Sequence, residues 1–261
     1  AGEGMQTGGF HTPNHRWVMA SALALVYRIS EDDRYRKEAM LYLNEGIDCN
    51  EDGEYTERSV GIYDAVNNNS LIILAEEMKR PKLLHYIHRN LYKIICFIEP
   101  DNTLFTLNSR RQDYGKDLYP IKHYWAYSYM SYEERNPEFA YMADYCLQQM
   151  LDLSTDEKDI NKNYQNIGFT NLLTKFMLKP KLTSFSINQK KPGREFEHWF
   201  RNSGIVRKRM GDVTATVMNE NDIFLKVQKG SNKLHFRFVA SFFGQHGRFR
   251  AQTMEKQNDG Y

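Results

Sequence analysis

The chain has 261 residues, of which 35 are basic and 33 acidic, so its formal net charge is only +2. This balance excludes a nucleic-acid-binding surface spread over the whole chain, although it allows a local basic patch. Hydrophobic residues make up 41% of the sequence, which is enough for a sizeable core and excludes global disorder. No apolar run is long enough to cross a membrane. We therefore expect a folded chain whose partner is neither nucleic acid nor membrane.

The first two-thirds of the chain has the periodicity of amphipathic helices. Thr12 is the expected N-cap, and Pro13 the first residue, of a helix that runs to about residue 29. Ser30 is the expected N-cap of a second helix that ends near residue 47. Further helices are predicted over about 60–79, 82–98, 121–132, 137–153 and 160–178, with a loop at 48–58 and a short strand at 104–107 inside an irregular stretch.

The pattern changes near Pro180, after which apolar and polar residues alternate. Short polar turns separate the alternating runs, which cover 205–207, 213–217, 223–227 and 234–243. A period of two between turns predicts an antiparallel sheet. The sequence therefore predicts an α+β multidomain chain, with a helical domain over 1–180 and a β domain over 181–261.

Three cysteines, Cys49, Cys96 and Cys146, leave at least one thiol unpaired within a monomer and have no metal-binding spacing. Cys96 and Cys146 lie in apolar helical patterns and are predicted to be buried. The histidines of the second part, His235 and His246, are isolated from one another. We expect neither a metal nor a cofactor, and the redox compartment stays open.

The start of the first long predicted helix carries an amide, an imidazole and an indole, at Asn14, His15 and Trp17. A helix N-terminus has unpaired N–H groups and a positive potential, so it attracts a carboxylate and favours a neutral imidazole that can accept a proton. Asn14 is a candidate to bind a substrate carboxylate, His15 to accept a proton, and Trp17 to stack on a sugar ring. The alternative is a polar helix start with Trp17 in the core.

Tyr63 is predicted to lie in the first turns of another helix, shortly after the expected N-cap Ser59. An unperturbed tyrosine is protonated at neutral pH and can act as a general acid. A neighbouring cation such as Arg58 favours the ionised form, which can act as a base. The alternative is a tyrosine of the core.

Two further segments carry groups that suit an acidic substrate. Arg110 and Arg111 lie in an irregular polar stretch, where a guanidinium can hold a carboxylate through two parallel hydrogen bonds. His123 lies at another predicted helix start and is a candidate to neutralise a carboxylate or donate a proton. A solvated loop and a core histidine are the respective alternatives.

Together these motifs resemble those of polysaccharide lyases of the heparinase II/III and oligoalginate lyase type. The stretch 14–17 is similar to the family's Asn-His-x-x-Trp helix start, one residue shorter before the tryptophan. The family's Asp-Gly-Ser…Glu…Ser…Tyr segment is matched by Asp52, Gly53, Glu57, Ser59 and Tyr63, with one extra residue before the tyrosine. Residues 200–209 resemble the family's first sandwich strands, but the family's histidine-rich metal motif is absent.

The resemblance implies an incomplete α/α toroid of helical hairpins followed by an antiparallel β-sandwich. It also implies that Asn14 neutralises a uronate carboxylate, that His15 removes the C5 proton, and that Tyr63 protonates the leaving glycosidic oxygen. The product of this β-elimination carries a 4,5-unsaturated uronate. The implied partner is an acidic polysaccharide or oligosaccharide, and the implied location is periplasmic or secreted.

Two other functions remain open at this point. A glycoside hydrolase on a similar helical scaffold needs two carboxylates that flank the scissile bond, and the candidates Glu54, Glu57 and Asp64 all share one segment. A non-catalytic glycan-binding protein needs only the aromatic and basic groups. The sequence does not identify the polysaccharide, its sulfation or the oligomeric state.

Overall fold

A computed structural model describes residues 2–7, 12–154, 169–248 and 250–258. Within these ranges, α-helices precede β-strands along the chain. The helices are α1 Gly2–Thr7, α2 Pro13–Ser30, α3 Asp33–Asn44, α4 Tyr63–Glu77, α5 Leu84–Phe97, α6 Tyr124–Glu134, α7 Pro137–Ser154 and α8 Phe169–Leu178. The strands are β1 Glu195–Phe200, β2 Ile205–Met210, β3 Val213–Met218, β4 Leu225–Lys229, β5 Asn232–Phe236, β6 Val239–Phe242 and β7 Gln245–Arg248. The α+β class is therefore confirmed.

The N-cap residues of α2 and α3 show where these two helices begin. Thr12 is the N-cap of α2 and Pro13 its first residue, as predicted. Ser30 does not cap α3: its hydroxyl donates to the Val26 carbonyl inside α2, while the Asp32 carboxylate accepts from the Arg34 amide and caps α3. The predicted strand at 104–107 is reduced to one bridge between Ile98 and Leu104. Residues 160–168 of the last predicted helix lie outside the described residues.

The helices α2 and α4 pack against each other. Arg28 in the last turn of α2 donates to Glu77, the last residue of α4, at 2.7 Å. Two packed helices whose C-terminal ends meet must also have their N-terminal ends on the same side. The first turns of α2 and α4 therefore lie at one end of the helical part. The buried core between the helices includes Trp17, Leu23, Leu71, Leu74, Ile87, Leu91, Ile94, Tyr127 and Phe139.

The strands β1 to β5 form one antiparallel sheet in chain order, and β6 pairs with β7. The two faces of the large sheet differ in polarity. Arg207, Thr216 and Lys226 are cross-strand neighbours on the face that meets the helices, and all three are buried. The opposite face carries apolar side chains, including those of Val217 and Leu225, which remain partly exposed. The sheet therefore contacts the helical part through a mixed face, on which Ile205 and Met218 join the hydrophobic core beside these polar groups.

Glu99, which follows α5, occupies the centre of this contact and is fully buried. Its carboxylate accepts from Lys226 Nζ at 2.7 Å, from Thr214 Oγ1 at 2.6 Å and from both terminal nitrogens of Arg207 at 3.1 and 3.3 Å. Burial alone would raise the pKa of Glu99, but Arg207 and Lys226 outweigh it and lower the pKa to about 2. This ion cluster links Glu99, which follows α5, to the strands β2, β3 and β4.

Replacing Glu99 with glutamine leaves two buried cations without a counter-ion. We expect Glu99→Gln to lower the free energy of unfolding at pH 7 by about 3 to 5 kcal/mol, measured by urea denaturation. The loss should shrink as the pH falls from about 4.5 toward 2, because the wild-type carboxylate loses its stabilising charge in that window. Glu197→Gln, at an ion pair on the exposed side of the sheet, is the control and should have little effect. Equal losses in the two variants would contradict this account.

Candidate functional site

The loop 48–58 is fixed by contacts with both structural layers. Gly53 has a φ of +78°, and a Cβ at this position would lie 2.4 Å from the Arg89 carbonyl oxygen, so only glycine fits. Asp52 Oδ2 accepts a hydrogen bond from the Ser203 amide at 2.9 Å. The loop is therefore held between α5 and the turn that connects β1 to β2.

A buried chain of amides and one phenol supports this loop from below. Tyr55 Oη donates to Asn68, and Asn68 Nδ2 donates to Asn90 Oδ1 at 2.8 Å. Asn90 Nδ2 in turn donates to the Gly53 carbonyl and to Asp64 Oδ2, both at 2.8 Å. Every member is buried, so the loop, α4 and α5 are connected through polar contacts that exclude water.

Glu54 is held by two hydrogen bonds and one ion pair. Lys93 Nζ is hydrogen-bonded to Oε1, Asn108 Nδ2 donates to the same oxygen at 2.8 Å, and Arg58 Nε lies 3.1 Å from Oε2. A carboxylate engaged in this way is a structural anchor. It fixes the positions of Arg58 and Asn108 at the rim of a cleft.

Tyr63 is the first residue of α4 and is half-buried beside the stretch 108–114. The N-cap of α4 is Ile62 and not Ser59, because the helix begins later than predicted; the Ser59 hydroxyl still accepts from the Tyr63 amide at 3.2 Å. Gln112 Nε2 donates to the Tyr63 hydroxyl at 2.6 Å, and the Arg111 guanidinium carbon lies 4.8 Å from the centre of the Tyr63 ring. The phenol is therefore oriented by an amide and covered by a cation.

Glu57 lies beneath Arg111 and is 4% exposed. Neither of its carboxylate oxygens has a hydrogen-bond donor, and the nearest cation atom, Arg111 Nε, is 3.6 Å from Oε1. Burial raises the pKa of Glu57, Arg111 opposes the shift, and Asp48 and Asp113 add to it. Arg111 thus lies over the Tyr63 ring, and the carboxyl of Glu57 beneath Arg111 has no hydrogen-bond donor among the described residues.

Two cavities meet at Arg58 and Arg110. The first has a volume of about 390 Å³ and lies along the loop 47–56. The second, of about 320 Å³, lies between the irregular stretch 108–114 and the β3–β4 turn at 219–222. Arg58 has a left-handed backbone with a φ of +53°, a strained conformation that is often found at functional sites. Arg110 is 55% exposed and makes only a 3.8 Å ion pair with Glu220, so its guanidinium is accessible from both cavities.

His15 and Asn14 lie in the first turn of α2, at the same end of the helical part as Tyr63. His15 precedes Arg28 by 13 residues and Tyr63 precedes Glu77 by 14, so both lie about 20 Å from the ion pair that joins the helix ends. The His15 side chain is exposed. Asn14 is buried, with its Oδ1 accepting from Thr12 Oγ1 at 2.9 Å. Two parallel helix N-termini direct positive potential toward this end.

Two other predicted ligand contacts are fully buried. Trp17 has no exposed surface, and its Nε1 donates to Asp48 Oδ1 at 2.7 Å, so it has no free face on which a sugar ring could stack. His123 Nε2 is 2.8 Å from the Val60 carbonyl oxygen, so this nitrogen carries the proton. Burial lowers the pKa of His123 to about 4, so the imidazole is neutral at pH 7 and cannot supply a positive charge. Both side chains are part of the scaffold behind the cleft.

Sequence reasoning missed the buried partners of these groups. Asn90 and Lys93 stand three residues apart on α5, and both side chains are fully or almost fully buried. Asp113 accepts from the Gly61 amide at 3.0 Å and from the Ser109 hydroxyl, so it fixes the turn that precedes Tyr63. The sequence signal for these buried groups is the i, i+3 spacing of Asn90 and Lys93, which places two polar side chains on one face of an otherwise apolar helix.

No family model, curated protein or solved structure matches the chain. Within the described ranges, no helix is both long and apolar enough to span a bilayer. The same ranges contain no cluster of three His, Cys, Asp or Glu side chains arranged to hold a metal ion.

The carboxyl of Asp64 supplies a pH test of the buried network. Burial raises the pKa of Asp64 to about 7, against the opposing effects of Asn90 and Lys93. Its pKa in the unfolded chain is near 4, so the unfolded chain binds fewer protons between about pH 4 and 7, and the free energy of unfolding falls as the pH rises through this window. We expect Asp64→Asn to remove part of this fall, measured by urea denaturation at several pH values. The control Asp212→Asn, at an exposed turn, should keep it; an unchanged slope in Asp64→Asn would contradict the assignment.

Proposed function

We propose that the chain is a polysaccharide lyase that cleaves a uronate-containing acidic polysaccharide by β-elimination in the cleft between loop 48–58 and the stretch 108–114. Two observations support this function: the resemblance of the stretches 14–17 and 52–63 to lyase motifs, and the contacts of Tyr63 with Gln112 and Arg111. An incomplete α/α toroid and a β-sandwich are the corresponding finer descriptions of the helical part and the sheet. A periplasmic or secreted location belongs to the same proposal.

The observation that carries the proposal is the hydrogen bonding of the Tyr63 phenol. Its oxygen accepts from the Gln112 amide, so its own proton remains available to an incoming oxygen atom. Arg111 covers the ring, and Arg58 and Arg110 line the cavities nearby. A proton donor beside several guanidinium groups suits a sugar that carries a carboxylate.

In the proposed reaction, a guanidinium of the cleft withdraws charge from the uronate carboxylate, which makes the C5 proton more acidic. The resemblance gives this task to Asn14, but the Asn14 side chain is buried and is not accessible to a substrate. The exposed imidazole of His15 takes that proton. The electron pair of the C5–H bond forms the C4–C5 double bond, and the bond from C4 to the glycosidic oxygen breaks. Tyr63 gives its proton to the leaving oxygen, and water later restores both groups. Each proton transfer contributes roughly 10²- to 10⁴-fold to the rate.

The carboxyl groups favour elimination over hydrolysis. A glycoside hydrolase needs an acid and a base on opposite sides of the bond. Glu54 is bound by Lys93, Arg58 and Asn108, and Asp64 is buried in the amide network. Among these three carboxyls, only Glu57 has two oxygens without a hydrogen-bond donor, and it lies under Arg111; Glu54 and Asp64 each have one such oxygen.

Tyr63→Phe removes the proposed proton donor and keeps the ring against Arg111. We expect the rate of formation of unsaturated uronate, followed by its ultraviolet absorbance on alginate, heparan sulfate, chondroitin, hyaluronan and pectin, to fall about 10²- to 10⁴-fold on the substrate that the wild type cleaves. His15→Ala should cause a loss of the same order. Tyr92→Phe, at a half-exposed tyrosine of α5 remote in sequence from the cleft motifs, is the matched control and should keep full activity. Wild-type activity in Tyr63→Phe would overturn the assignment of the donor.

Arg110→Ala tests substrate recognition separately from chemistry. Because the Arg110 guanidinium is exposed and only loosely paired, its loss should raise KM about tenfold or more, as expected for a hydrogen-bonded ion pair with a carboxylate, and leave kcat within a small factor. Arg237→Ala, at an exposed arginine after β5, should change neither constant. A fall in kcat with unchanged KM would place Arg110 in the chemical step instead.

A further inference from the structure

A small cationic cavity lies at the other end of strand β2. It has a volume of about 50 Å³, is open to solvent, and is lined by residues of α5, α7, β1, β2 and the segment 191–194. Lys191, Arg194 and Arg209 line it, and among the described residues no aspartate or glutamate does. Arg209 is four residues along the strand from Ile205, which lines the proposed substrate cleft, so the two sites are separated by about 13 Å of strand.

The positive charge in this cavity is not balanced by the protein. Arg209 is 7% exposed, and its Nε and Nη1 donate to the neutral carbonyls of Gly211 and Ile98 at 3.0 and 2.9 Å. Within the described residues, no carboxylate forms an ion pair with Arg209 or Arg194. The nearby Glu99 is already shared by Arg207 and Lys226. A buried guanidinium without a counter-ion is destabilising unless a ligand supplies the charge.

Two further observations agree with a missing anion. Burial, then Arg194 and Arg207, lowers the pKa of Arg209, which reflects the excess of positive charge. Tyr145 also lines the cavity, and among the described residues its buried hydroxyl has no hydrogen-bond partner. Burial raises the pKa of Tyr145, so this hydroxyl keeps its proton and can donate it. A buried donor without an acceptor is rare in a native protein.

We propose that this cavity binds a sulfate- or phosphate-type oxyanion through Arg209, Arg194 and the Tyr145 hydroxyl. Three donor groups of this kind match the several acceptor oxygens of a tetrahedral anion, and a guanidinium can hold two of them at once. The ligand is either the free inorganic ion or the same group esterified to a sugar. The site does not depend on the proposed lyase reaction, because it shares no residue with the substrate cleft.

The test is calorimetric titration of the full chain with sodium sulfate and with sodium phosphate, at an ionic strength held constant with sodium chloride. Thermal unfolding at millimolar sulfate gives a second measurement, with an expected rise in Tm of about 2 to 4 °C. Arg194→Ala should weaken sulfate binding by about tenfold or more, since it removes an exposed charged donor. Tyr145→Phe should weaken it by a smaller factor and keep the fold. Lys208→Ala, an exposed cation on the opposite face of β2, is the control and should bind as the wild type does.

A parallel titration with N-acetylglucosamine 6-sulfate and unsulfated N-acetylglucosamine distinguishes the two sources of the anion. Tighter binding of the sulfated sugar than of inorganic sulfate would identify an ester group, and equal affinity would identify the free ion. Absence of measurable binding of all the anions would overturn the proposal. Equal sulfate affinity in wild type, Arg194→Ala and Tyr145→Phe would overturn it as well, because binding would then occur elsewhere on the surface.

Discussion

The buried carboxylate of Glu99 is the constraint on which the rest of the structure depends. The sheet meets the helices through a face that carries arginine, lysine and threonine, and this contact is possible only because one carboxylate compensates Arg207 and Lys226. Two buried cations without Glu99 would repel each other in a medium of low polarity. The mutual orientation of the two parts is therefore constrained by charge pairing as well as by the apolar contacts of Phe200, Ile205 and Met218. Charge pairing has geometric demands that apolar packing does not impose.

The cleft follows from this orientation. Once β2 and β3 are fixed against the end of α5, the β3–β4 turn lies beside the irregular stretch 108–114, where Asn221 Nδ2 donates to the Leu107 carbonyl at 2.7 Å. The second cavity exists only between these two segments. A site that uses the groups of both parts thus depends on an ion cluster that touches neither cavity. The cavity at Arg209 lies at the same junction and differs in its charge balance, since no carboxylate among the described residues pairs with Arg209 or Arg194.

The sequence predicted the order of elements well, because periodicity and turn residues act locally. Pro13 and the alternating runs after Pro180 illustrate this. It could not predict which face of the sheet meets the helices. Lys226 stands between Leu225 and Val227, so the strand has one polar and one apolar face, and a period of two does not show which of them is buried. The same limit applies to Trp17 and His123, whose residue types suit a ligand but whose positions are buried. Glu54 was considered as a catalytic acid, whereas its partner Lys93, 39 residues away, makes it structural.

The central claim is that the bond is broken by elimination at Tyr63. Mass spectrometry of the products from a defined uronate oligosaccharide tests it most directly. Elimination adds no water, so the product masses should sum to the mass of the substrate. One product should have the unsaturated uronate at its new non-reducing end, and the other should end in an ordinary reducing sugar. Products that together exceed the substrate by one water would contradict the account and indicate hydrolysis. No cleavage of any oligosaccharide in the panel would contradict it too and would favour a glycan-binding protein.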